Sequence, residues 1–127
     1  GNMHELGEFI EQGYGEVAAE FTGLDILVLV GQLSIDIFGT HARDEYGFML
    51  GQNLFEFQTS VEAGAYVRDH VLQPGDAVFV KGPFGGFYLE EASKKLLRDS
   101  HDAQFLTRQS EFWIRKKRQH FGKLFDV

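Results

Sequence analysis

Cysteine is absent from all 127 positions of the chain. That excludes a disulfide framework and any thiolate metal site, and it fits a reducing cytosol. Basic charge is scarce as well: 12 Lys and Arg stand against 19 Asp and Glu, for a net charge of −7. Binding along a nucleic-acid backbone needs a basic footprint, so nucleic acid is not an expected partner. No apolar run approaches the roughly 20 residues of a membrane span, and the first residues carry no signal-peptide pattern. Apolar and aromatic side chains are plentiful, with 43% hydrophobic residues including 13 Phe, 4 Tyr and 1 Trp. Such a chain folds, and its length suits one domain (1–127) with a real core.

Periodicity organises the chain. Ile10, Tyr14, Val17, Ala18 and Phe21 recur at helical spacing, which predicts an amphipathic helix over 7–22. Gly13 and Gly15 weaken it by roughly 1 kcal/mol each, and Gly23 stops it. Ile26–Val30, bounded by Asp25 and Gly31, is an unbroken apolar run of the kind found in a strand covered on both faces. A second helix is expected over 32–46 with an interruption at Gly39, followed by a short strand at Leu54–Phe57. Thr59 and Glu62 have capping-box spacing and open a helix with Ala63, Tyr66, Val67 and Val71 on its inner face. Pro74-Gly75 ends it, and Ala77–Val80 reads as the next buried strand. Leu89, Ala92, Ser93, Leu96 and Leu97 form an inner helical stripe, with Glu90–Lys94 and Glu91–Lys95 as exposed i,i+4 pairs outside it. Asp102 is placed to cap a last helix, about 102–122, carrying Phe105, Leu106, Phe112 and Trp113.

Helices alternating with apolar strands predict an α/β fold, a Rossmann-like, mostly parallel sheet with helices on both faces. The chain opens on a loop-like Gly1-Asn2-Met3 where this pattern wants a strand, so the first strand is expected outside the sequence. A site is expected where strand 77–80 runs into Lys81-Gly82 and a glycine-broken loop. There Gly82, Gly85 and Gly86 would let backbone approach an anion while Lys81 supplies a point charge. The bland alternative is an ordinary strand-to-helix turn with a solvated lysine. The loop is not a Walker A motif, because its lysine precedes the glycines.

Other patterns carry less. Gly13-Tyr-Gly15-Glu-Val-Ala18 fits G-x-G-x-x-A but sits inside a helical pattern, whereas a dinucleotide fingerprint follows a strand. The five histidines have no metal-ligand spacing, and neither a paired acid/base nor a G-x-S-x-G elbow can be argued. Arg115–Arg118, RKKR, reads as a solvated face beside a docking stripe of Phe112 and Trp113.

Two segments together resemble the C-terminal domain of the Mur ligases, most of all the branch that adds D-alanyl-D-alanine. Gly1-Asn2-Met3-His4-Glu5-Leu6-Gly7 resembles that family's G-[DN]-M-x-E-L-G, which follows the domain's first strand. Gly75-Asp76-Ala77-Val78-Phe79-Val80-Lys81-Gly82 resembles its G-D-x-V-L-V-K-G, Leu89-Glu90 its next helix start, and Leu106-Thr107-Arg108-Gln109 with Trp113 a tail of some members. The resemblance implies part of a cytoplasmic, ATP- and magnesium-dependent amide-bond ligase of peptidoglycan synthesis. Its partners would be the central and N-terminal ligase domains, D-Ala-D-Ala and a UDP-MurNAc-peptide. It implies contacts from Lys81, Gly82, Gly85, Asn2, Met3 and Glu5, and no catalysis by this chain in isolation, since the ATP-binding machinery lies elsewhere. The family reads K-G-S-R where this chain has Lys81-Gly82-Pro83-Phe84, which removes a hydroxyl and a bidentate cation. That departure favours a rival reading, a stand-alone Rossmann-like binding or interaction module. A dinucleotide-binding oxidoreductase is the weaker third, for want of a fingerprint after a strand.

Overall fold

The computed structural model describes residues 1–126. Its secondary structure is mixed, with more helix than strand and one two-stranded parallel sheet. The chain divides into two compact units, Gly1 to Gln58 and Thr59 onward.

In the first unit, α1 (Ile10–Ala18) is extended by 3₁₀ turns at Gly7–Phe9 and Ala19–Gly23, so the helical run matches its periodicity. β1 (Leu27–Val30), α2 (Gln32–Asp44) and β2 (Leu54–Phe57) follow as a parallel crossover, with Leu27 opposite Leu54 and Val30 opposite Phe57. Parallel strands need a long connection, and α2 supplies it. The core gathers Tyr14, Ala18, Phe21, Leu27, Leu29, Phe38, Ala42, Phe48 and Leu54. The Phe38 ring lies 4.4 Å from Tyr14 and 5.4 Å, edge-on, from Phe21. Such tilted contacts suit ring quadrupoles better than a face-to-face sandwich.

The Gly13–Ala18 stretch lies inside this helical run, with helix on both sides. Gly39 does not interrupt α2. It makes room: a Cβ there would stand 2.8 Å from Glu56 Oε1 and 3.1 Å from Arg43 Nη1, the two partners of a 2.6 Å ion pair.

The second unit is helical. α3 (Ser60–Tyr66) runs into a π-helical turn at Val67–Val71, and α4 (Glu90–Leu96) and α5 (Glu111–Phe121) follow. Thr59 and Glu62 form the reciprocal capping box their spacing predicts. α3 and α4 approach closely at Gly64, where a Cβ would stand 2.7 Å from Ala92 Cα. Val61, Ala63, Val67, Leu89, Ala92 and Phe121 are buried, and Tyr66 and Val71 are half-buried.

Several expectations fail in this unit. Ala77–Val80 is not a buried strand; Val78, Phe79 and Val80 are 50%, 86% and 41% exposed. A strand requires a ladder partner for its amides and carbonyls, and no other strand exists in the second unit among the described residues. The last helix does not run from 102. Asp99, not Asp102, caps a 3₁₀ turn at Ser100–Phe105 by accepting from His101 N–H at 2.9 Å, and α5 starts only at Glu111. Finally, Glu90 and Glu91 are buried, not on an outer face.

Candidate functional site

The six residues singled out by resemblance fall in both units. In the first, Asn2 is buried and its Oδ1 accepts from Ser34 N–H at 2.8 Å. Ser34 is the third residue of α2, and the preceding Gly31 (φ 93°) has no side chain to cap it. Asn2 therefore serves as a cap from a distant part of the chain, satisfying one of the amides that a helix start leaves open. Met3 is held through its backbone: its N–H donates to Tyr14 Oη at 2.7 Å, and the Tyr14 hydroxyl donates to its carbonyl at 3.2 Å. Burial raises the Tyr14 phenol above its ordinary value, against the opposing effect of the Met3 backbone. Glu5 is exposed in a left-handed turn at φ 65°. Asn2 and Met3 thus have clear structural duties, and Glu5 faces solvent.

In the second unit, Lys81, Gly82 and Gly85 are solvent-exposed on one loop, with Gly86 at φ 84°. The loop extends to Tyr88, itself at φ 45°, directly before α4. Such left-handed residues without glycine's freedom persist where surroundings hold them. Here the surroundings are specific. Tyr88 O accepts from Ser60 Oγ at 3.0 Å, and the Tyr88 ring packs edge-on against Trp113, His120 and Phe121 of α5.

Beneath the loop lies a buried charge cluster that sequence reasoning missed. Arg108 binds Glu90 through both oxygens, Nε at 2.8 Å and Nη2 at 2.6 Å, while its Nη1 donates to Phe84 O. The guanidinium also lies over the rings of Phe84 and Tyr88, 5.0 and 5.7 Å from their centroids. Lys117, wholly buried, donates to Glu91 at 2.7 Å and stands 3.0 Å from Glu90. Two cations and two carboxylates balance one another, as buried charges must. Burial would push the Glu90 carboxyl up, but the hydrogen bonds from Arg108 and Lys117 outweigh it and hold the group below the usual carboxylate range.

This cluster corrects two readings. The Glu90–Lys94 and Glu91–Lys95 surface pairs give way to Glu90–Arg108 and Glu91–Lys117, with Lys94 only 4.0 Å from Glu91 at i,i+3. The RKKR run is not wholly a solvated face, since its third member is buried. Helical spacing alone could not reveal this, because the partners lie 18 and 26 residues away.

An open groove of about 340 Å³ runs beside the 76–80 segment, lined by Leu72, Val78, Val80, Leu96 and Leu97 among others. Among the described residues, no group of three or more His, Asp or Glu is placed to hold a metal ion, and no helix is long and apolar enough to cross a membrane. No family model, curated protein or solved structure matches the chain.

Proposed function

We propose that this chain is the amine-presenting, C-terminal part of an ATP-dependent amide-bond ligase of peptidoglycan precursor synthesis, of the Mur ligase kind. The single observation that carries the reading is the Gly75–Gly82 segment, which ends in an exposed Lys81 on a loop pinned from below. A cation beside glycine-rich backbone suits a phosphate or a carboxylate. Support also comes from the Gly1–Gly7 motif standing in the same order and spacing as in that family, and from the β1–α2–β2 parallel crossover. On this reading the two parallel strands belong to a Rossmann-like sheet.

In such a ligase another, cytoplasmic domain would hold ATP and magnesium, and the γ-phosphoryl group would pass to the acceptor carboxylate of a UDP-MurNAc-peptide, releasing ADP and leaving an acyl phosphate. The present chain would then bring D-Ala-D-Ala to it. Lys81 would steady negative charge, and Gly82 and Gly85 would allow close approach. Within the first unit, Asn2 and Met3 would hold the Gly1–Gly7 turn through their helix-capping and backbone bonds, with Glu5 at its surface. Closure over the acyl phosphate would supply proximity and exclude water from a hydrolysable intermediate.

The test uses the polypeptide that joins this chain to its ATP-binding domain. With UDP-MurNAc-peptide and D-Ala-D-Ala it should release phosphate from ATP, and Lys81→Ala should lower the rate by about 10²-fold, as loss of a charge-stabilising donor does. An unchanged rate removes Lys81 from the site. No phosphate release from the intact polypeptide overturns the ligase reading. In that case the binding module is the better account, favoured by Pro83-Phe84 and by a Phe84 side chain that is 83% exposed.

A further inference from the structure

We infer that Arg108 is a positioning residue for the Gly82–Tyr88 loop, one guanidinium that fixes the backbone following Lys81 in the shape an anionic ligand meets. The ligand in this statement rests on the proposed function; the latch rests on geometry alone.

A loop with glycine at 82, 85 and 86 loses much conformational entropy when fixed, more than one built of other residues. Its ordering therefore needs a cause. The Tyr88 end has one in Ser60 Oγ and the α5 rings. The middle is held by Arg108, through the Phe84 carbonyl and the faces of two aromatic rings. Phe84 is 83% exposed, so its side chain is not what anchors it to a core.

Only arginine does all this at once. Nε and Nη2 are committed to Glu90, leaving Nη1 for the carbonyl and the flat faces for the rings. Lysine offers a single point charge and cannot span carboxylate and carbonyl in that fork. Glu90 is fixed in turn by Lys117, so the loop is referred to α4 and α5 through one chain of charges. Arg108 itself sits at φ 57°, a left-handed conformation that is unfavourable outside glycine. Position 84 is where the resemblance reads arginine. Here a guanidinium reaches that loop from residue 108 instead.

The missing cysteines make the test clean. Gly85→Cys takes a nitroxide label without strain, since Gly85 is outside the left-handed region and a Cβ there meets nothing within 4 Å. Gly23→Cys, equally open, is the control in the first unit. In the 127-residue protein, Arg108→Lys and Arg108→Gln should each shorten the correlation time of the label at 85 by about threefold, on the nanosecond scale of loop motion. The label at 23 and the Trp113 emission should not change. Inorganic pyrophosphate, titrated by calorimetry into the unlabelled proteins with Gly85 intact, should bind about tenfold more weakly to Arg108→Lys than to wild type and not at all to Lys81→Ala.

Equal label mobility in wild type and Arg108→Lys overturns the latch. If Arg108→Gln shifts the Trp113 emission to that of unfolded protein, Arg108→Lys decides. Increased mobility with no pyrophosphate binding by any form upholds the latch and sinks the ligand reading, which separates the two failures.

Discussion

Glu90 shows how little a residue's type says about its surroundings. Its sequence neighbours suggest a solvated glutamate pairing with Lys94, yet it is buried between Arg108 and Lys117. That Lys81 and its glycines lie on an exposed loop was legible, because a glycine-rich turn is coded by adjacent residues. Arg108 and Lys117 were not, because pairing across 18 and 26 residues leaves no periodic trace. The buried charge has a measurable consequence. A carboxyl held below its ordinary value of about 4.3 adds stability that is present above that value and is lost as pH falls through the lowered one. Glu90→Gln keeps the shape and removes the charge, leaving Arg108 and Lys117 undercompensated. It should cost about 3 kcal/mol at pH 7, in the range for breaking a buried pair. Below pH 4 the wild type should approach the variant, so the stability difference shrinks with acid. Urea unfolding followed by the single Trp, which lies in the second unit, measures both. A difference constant from pH 7 to pH 3 would contradict the assignment.

Elements with their own local code were legible, and elements that depend on a partner were not. α1 announces itself through its period and β1 through an apolar run bounded by Asp25 and Gly31, whereas α2 runs unbroken through the Gly39 where an interruption is expected. The Thr59–Glu62 box marks the start of α3. Ala77–Val80 has the same apolar run as β1 but no ladder partner in its unit, so it lies exposed. The last helix starts late because its first turn is diverted into the 3₁₀ segment capped by Asp99. Contact between elements brings a further expectation at Gly64. A methyl there would meet Ala92 backbone, with Cα at 2.7 Å and O at 3.0 Å, atoms that cannot swing aside. Gly64→Ala gains roughly 1 kcal/mol of helix propensity but forces α3 and α4 apart, an overpacking cost of about 1–3 kcal/mol. The net effect should be a destabilisation of about 1 kcal/mol, the middle of that difference, read as a lower urea midpoint. Gly39→Ala should behave differently, because the atoms it crowds belong to the flexible ends of Glu56 and Arg43. A Gly64→Ala protein as stable as wild type would mean the two helices do not pack this closely.

Charge is divided very unevenly over the whole molecule. Residues 1–58 hold ten Asp and Glu against a single Arg, whereas residues 59–127 hold nine against eleven Lys and Arg. The net charges are −9 and +2, which together give the −7 of the chain. In the first unit the one arginine is already paired with Glu56, so much of the acidic surface repels itself. Two carboxylates 10 Å apart in water repel by about 0.4 kcal/mol, and 0.1 M salt reduces the screening length to about 10 Å. Raising salt from 10 mM to 0.5 M should therefore stabilise the first unit by about 1 kcal/mol, equivalent to several degrees in a unit of this size. The second unit, nearly neutral and built on a largely buried charge cluster, should respond little. Amide exchange separates the two. Protection in α1 and α2 should rise with sodium chloride, while protection in α3 and the emission midpoint of Trp113 should stay nearly constant. An equal response in both units would show that surface charge is not what distinguishes their stabilities. Protection falling with salt in α1 would show that attraction outweighs repulsion among the charges of the first unit.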